Sequence, residues 1–125
     1  MEDKALEFVG SSQDDLRAMP KEVRIIVGTS LFDAERGEKS SNAKPLKRFK
    51  GGGVLEVVAN HDGDTYRAVY TVKFKGVVYV LHCFQKKSKK GIATPKPDMD
   101  LIKQRLKTAE EHYQAHYAPK QKKGG

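Results

Sequence analysis

The sequence holds a single cysteine, Cys83, so no internal disulfide can form and nothing calls for an oxidising compartment. No apolar run is long enough to span a bilayer as a helix. The opening Met1-Glu2-Asp3-Lys4 has neither the basic start nor the apolar stretch of a secretory signal. These absences point to a cytoplasmic protein with no membrane segment. Carboxylates are scarce between residues 44 and 96, where only Glu56, Asp62 and Asp64 stand against twelve Lys and Arg. The paired acids of metal-dependent phosphoryl chemistry are therefore not at hand. His61, His82, His112, His116 and Cys83 show no compact ligand spacing. His112 and His116 are four apart, but no Glu follows the first as in a zinc-protease helix. Gly51-Gly52-Gly53 is not a phosphate loop, because the Gly-Lys-Ser/Thr ending is missing and a strand pattern follows. Neither a metal nor a cofactor is expected, and no internal repeat is found.

What the chain has in excess is positive charge, +8 over 125 residues, unevenly spread. Residues 1–43 carry −3, residues 44–96 carry +9 and residues 97–125 carry +2. A basic region concentrated inside one folded segment suits a polyanion, with nucleic acid the leading case. The length fits one domain, expected over 1–117, with 118–125 as a disordered basic tail.

Apolar periodicity outlines an α+β chain. Lys4–Val9 reads as a strand, ended by Gly10-Ser11-Ser12. Ser11 or Ser12 can cap a short helix whose first turn holds Asp14 and Asp15. Pro20 suits the start of a second helix, in which Val23, Ile26, Val27, Leu31 and Ala34 recur at helical spacing until Gly37. These two helices should pack as a hairpin on one sheet face. Residues 38–53 read as loop. Strands are expected over Val54–Asn60, Thr65–Lys75 and Val77–Phe84, joined by turns at Asp62-Gly63 and Lys75-Gly76. A basic linker over residues 85–96 follows. Asp98 can cap a last helix with Ile102, Leu106, Ala109 and Tyr113 on one stripe.

Alternation puts Tyr66, Ala68, Tyr70, Val72 and Phe74 on one side of the second strand and Arg67, Val69, Thr71 and Lys73 on the other. Arg67 either pairs with Glu56 on the neighbouring strand or clamps a phosphate. On the next strand Val78, Val80, His82 and Phe84 should share a face, and Gln85-Lys86-Lys87 then delivers cations to the sheet end. Lys89 lies further along, where a solubilising loop is the plainer reading. Lys44, Lys47 and Arg48 are candidates for the opposite rim of a groove, with Tyr70 among the aromatics available to stack on bases.

Several segments together resemble the phage-derived, HigB-like branch of the RelE/ParE toxin superfamily: Lys44-Pro45-Leu46-Lys47, Val54-Leu55-Glu56, Thr65-Tyr66-Arg67-Ala68-Val69-Tyr70, and Leu81-His82-Cys83-Phe84-Gln85-Lys86-Lys87. The resemblance spans about residues 4–113. It implies two N-terminal helices packed on a curved antiparallel β-sheet, with a C-terminal helix. It also implies a type II toxin that cleaves mRNA endonucleolytically in the ribosome without a metal, and a cognate helix-turn-helix antitoxin. On this chain the implied catalytic set is Arg67, Lys86 and Lys87, with His82 as the alternative acid–base group. The resemblance puts Lys44 and Lys47 on the opposite rim; with Arg48, Tyr70 and Lys89 from the residue pattern they are the candidate RNA contacts. Relatives often carry arginine two positions after the strand glutamate, where this chain has Val58. The rival expectations are a ParE-like gyrase inhibitor, which is not an enzyme, and a degenerate relative that only binds RNA or antitoxin.

Overall fold

The computed structural model describes residues 3–49, 53–86 and 94–118. The elements run β1 (Ala5–Phe8), α1 (Ser12–Arg17), α2 (Lys21–Glu35), β2 (Ala43–Pro45), β3 (Val54–His61), β4 (Asp64–Thr71), β5 (Val77–Lys86) and α3 (Lys96–His116). They build one sheet in the order β1-β5-β4-β3-β2. The β3–β4–β5 meander is antiparallel, as expected; β2 also pairs antiparallel with β3, but β1 runs parallel to β5 at the edge. The sheet is therefore mixed. The parallel pair is possible because α1, α2 and the meander supply the long crossover that such pairing requires.

Local chemistry explains most of the element boundaries. Asp62 (φ 50°) and Gly63 (φ 81°) both take the left-handed conformation that a two-residue hairpin demands. Ser11 sits at the N-cap of α1 without a side-chain bond to the helix backbone; its hydroxyl donates to Asp15 instead, at 2.8 Å. Val23, Val27, Leu31 and Ala34 of α2 are buried against Leu55, Val57, Ala68, Tyr70, Val78 and Val80, forming the core on one sheet face. On the other face Met99, Ile102, Ala109 and Tyr113 of α3 cover Val54, Val69, Val77, Tyr79 and Leu81.

Several readings of the elements need correction. Residues 43–45, read as loop, pair with β3 as β2. Strand β4 stops at Thr71, whose hydroxyl donates to the Gly53 carbonyl (2.7 Å) and accepts from the Lys73 amide (3.1 Å). The early stop turns Phe74 away from the face of Tyr70 and onto Tyr79 and Tyr113. Pro95, rather than Asp98, precedes α3 as its N-cap. Ala118, assigned to the tail, still donates to the Tyr113 carbonyl at 2.8 Å and packs on the α3 core. The rest of that tail lies outside the described residues.

Candidate active site

The register of the sheet sets out the site row by row. Directly opposed residues share a face. Lys44 opposes Glu56, Glu56 opposes Val69, and Val69 opposes His82. The next row is Val58, Arg67 and Phe84, and the one beyond it Asn60, Thr65 and Lys86. Because Val69 belongs to the core beneath α3, all these positions lie on the α3 face.

A β-bulge puts them there. Val69 pairs with His82 but Tyr70 pairs with Val80, which leaves Leu81 as an extra residue in β5. Before the bulge Val78 and Val80 face α2; after it Cys83 faces that side and His82, Phe84 and Lys86 face Arg67. The expected common face for Val78, Val80, His82 and Phe84 is thus wrong, since one inserted residue inverts a period of two. Arg105 of α3 holds the bulge: its Nη1 donates to the Leu81 carbonyl (2.9 Å) and its Nη2 to Ser11 Oγ (3.2 Å). Gly10 (φ 59°) lies against this guanidinium, and a Cβ there would meet three of its atoms at 2.9 Å.

Arg67 is 4% exposed and donates to Glu56 Oε1 at 2.6 Å, a buried ion pair between β3 and β4. Lys86 is also buried, at 7% exposure. Burial, and then the charge of Arg67, push its ammonium below the usual lysine pKa, while Glu56 pulls the other way. Glu56, Arg67 and Lys86 are therefore one electrostatic unit. His82 Nε2 lies 2.7 Å from Asp98 Oδ1, and its ring stacks on Phe84 at 4.4 Å. Its Nδ1 is buried and has no hydrogen-bond partner among the described residues. Asp98, expected as a cap, instead ties the first turn of α3 to this histidine.

Lys44, Lys47 and Arg48 are exposed. With Pro45, Leu46, Glu56, Thr94 and Met99 they line a cavity of about 260 Å³ between the β2 segment and the start of α3. Glu56 thus belongs both to the cavity wall and to the ion pair. Tyr70 does not join the set. It is fully buried on the α2 face, and burial there, with Asp33 nearby, pushes its hydroxyl up to about 12. A ring so placed has no surface to offer a base. Lys87 and Lys89 lie outside the described residues. Among the described residues no three of His, Cys, Asp and Glu are placed to share a metal ion. The sequence reading did not place Asp98, Arg105 or Thr94 in the site, because nothing in a helix pattern or a linker says which strand position it will meet.

The family described as Phage derived protein Gp49-like (DUF891) matches residues 14–107. The chain belongs to the Gp49-like family. A search of curated proteins gives no match. Among solved structures, this Gp49-like chain is similar to a double arginine-to-alanine mutant of the E. coli toxin RelE in the free state. That match has a TM-score of 0.55 and 16% identity, and it covers 85% of this chain and 97% of that one. It is also similar to the toxin–antitoxin complex RelBE2 from Mycobacterium tuberculosis, with a TM-score of 0.46 and 23% identity, covering 70% of this chain and 97% of that one. The family match bears out the phage-derived family that the sequence resembles, and the likeness to RelE bears out the expected fold. No helix among the described residues of the Gp49-like chain is long and apolar enough to cross a membrane.

Proposed function

We propose that this chain is a RelE-type toxin that cleaves messenger RNA in the ribosome, needs no metal, and is neutralised by a helix-turn-helix antitoxin. The observation that carries the reading is the convergence of Glu56, Arg67 and Lys86 on one sheet face beside the exposed cations Lys44, Lys47 and Arg48. The antitoxin and the ribosome rest on the family resemblance.

In this mechanism the 2′-hydroxyl of the RNA attacks its own adjacent phosphorus in line. The hydroxyl gives up its proton, the bond to the 5′-oxygen breaks, and that oxygen takes up a proton. The products are a 2′,3′-cyclic phosphate and a free 5′-hydroxyl. Arg67 stabilises the charge that builds on the phosphorane, oriented by Glu56. A lysine with depressed proton affinity is suited to accept the hydroxyl proton, which gives Lys86 the general-base role. Lys87 is the candidate acid. His82, engaged with Asp98 and stacked on Phe84, serves this face as a fixed support.

The test is controlled expression of wild type and Arg67→Ala, following growth and mapping new 5′ ends on a translated transcript by primer extension. Wild type should arrest growth and generate new ends, and Arg67→Ala should cleave roughly 10²–10³ more slowly. Truncating Arg67 alone strands a buried carboxylate. The double variant Arg67→Ala with Glu56→Gln, its fold checked by circular dichroism, therefore accompanies it. Cleavage that disappears with EDTA would remove the metal-free mechanism. Arrest with intact transcripts would point to gyrase or another target. Soluble protein with no arrest would favour a binding-only relative, a reading that Val58 opposite Arg67 supports.

A further inference from the structure

We propose that the cavity between β2 and the first turn of α3 is a specificity subsite that holds one RNA nucleotide next to the cut, base inward and phosphate at the rim. The proposal deepens the ribonuclease reading and rests on it. Leu46 and Met99, each 4% exposed, and Pro45 give the cavity an apolar part, while Glu56 and Thr94 add polar groups to its wall. The rim is cationic, with Lys44, Lys47 and Arg48 all exposed. Such a site selects a ligand with a flat apolar body and an anionic end. The volume, about 260 Å³, lies below the ~300–1,000 Å³ of pockets built for larger ligands, which suits a single nucleotide.

Two further observations point to an occupant. Thr94 lines the cavity at 9% exposure, and among the described residues its buried hydroxyl has no hydrogen-bond partner. Buried hydroxyls are nearly always satisfied, and a threonine hydroxyl can both donate and accept, so it is equipped to read the edge of a base. Arg48, at the rim, holds a left-handed backbone (φ 79°), a conformation unfavourable for a side-chain-bearing residue and recurrent at ligand clamps. The position of the cavity puts its occupant beside the cut. Glu56 forms part of its wall and is the partner of Arg67, so the occupant neighbours the phosphate at the clamp.

Two measurements test this. In the first, cleavage rates are compared on short RNAs carrying each of the four bases on either side of the cut, for wild type and Thr94→Val. The variant keeps the shape and removes the hydroxyl. At one flanking position the wild-type preference should shrink by about tenfold, the discrimination expected of a base contact, while the other position is unaffected. In the second, methyl resonances of Met99 and Leu46 are followed by NMR as nucleosides and nucleoside 5′-monophosphates are added. The monophosphates should shift them at lower concentration than the nucleosides, and Lys47→Glu should erase that difference. Active wild type whose preference survives Thr94→Val, with unmoved methyl resonances, overturns the subsite and leaves the ribonuclease reading standing. Wild type that cleaves no RNA, yet binds monophosphates through these methyls, overturns the ribonuclease reading and with it a subsite beside a cut, leaving the cavity as a mononucleotide-binding site only.

Discussion

Three charged residues on the α3 face determine one another's chemistry. Burial and Arg67 lower the proton affinity of Lys86, and Glu56 raises it. If neutral Lys86 is the base, kcat/KM should climb with pH as Lys86 loses its proton. Glu56→Gln removes the charge that favours the ammonium, so the climb should move to lower pH. Arg67→Ala removes a charge that disfavours it, so the residual activity should climb at higher pH. Opposite displacements are hard to obtain from general damage, which would lower the amplitude without moving the inflection. Inflections that stay put in both variants would show that Lys86 is not the titrating group. Cys83 gives a second prediction. It is buried and its thiol is pushed up to about 12, first by burial and then by Asp15, against a smaller opposing effect of Arg105. The thiolate is the reactive form, so labelling of the native protein by a disulfide reagent should be slow. It should become fast across the urea unfolding transition. Rapid labelling without denaturant would mean that the strand end opens readily. At this scale the sequence was a good guide to Arg67, whose alternatives included the Glu56 partner it has. Tyr70 was misread because an aromatic in a basic neighbourhood looks like a base platform whichever way the strand turns it.

The same contrast governs the elements. Helix α2 was legible because a 3.6-residue apolar pattern runs between Pro20 and Gly37, and Gly37 takes the left-handed conformation (φ 80°) that ends it. The β3–β4 turn was legible from Asp62-Gly63. The bulge in β5 was not. Val77–Phe84 is almost continuously apolar because both faces of the strand are buried, so alternation carries no phase and an added residue leaves no trace. β2 was missed because three residues, two of them exposed, have no pattern of their own and gain strand form only by pairing with β3. The bulge also makes Arg105 more than a surface cation, since it is the donor to the Leu81 carbonyl. Arg105→Ala should cost about 1.5–3 kcal/mol in urea unfolding, the range for hydrogen bonds from charged groups. Cleavage should fall by more than the folded fraction does, because a bulge that shifts or slips carries Phe84 and Lys86 away from Arg67. Amide exchange along β5 provides the independent reading, with faster exchange expected around Leu81 and His82. A variant equally unstable but fully active per folded molecule would confine Arg105 to stability.

Over the whole molecule, the two sheet faces divide the labour. The face under α1 and α2 is carried largely by residues 1–43, with net charge −3, whereas the cavity and ion-pair face draws on residues 44–96, with net charge +9. Helix α3 covers one part of that second face through Met99, Ile102, Ala109 and Tyr113. Its first turn, carrying Asp98, stands between the buried core and the charged rows. An RNA strand on this face should therefore release counterions mainly through the cations around the cavity. For a single strand the slope of log affinity against log salt is roughly −0.7 per phosphate neutralised. Lys47→Ala should make the RNA-binding slope shallower by about that amount. Lys21→Ala, an exposed cation on α2 at the other face, removes the same formal charge and should leave the slope unchanged. Fluorescence anisotropy of a labelled short RNA, titrated at several salt concentrations, separates the two. If Lys21→Ala flattens the slope as much as Lys47→Ala does, RNA is held by net charge alone and the α3 face loses its claim as the interface. A change confined to Lys47 would mean that the excess of +8 matters through its position.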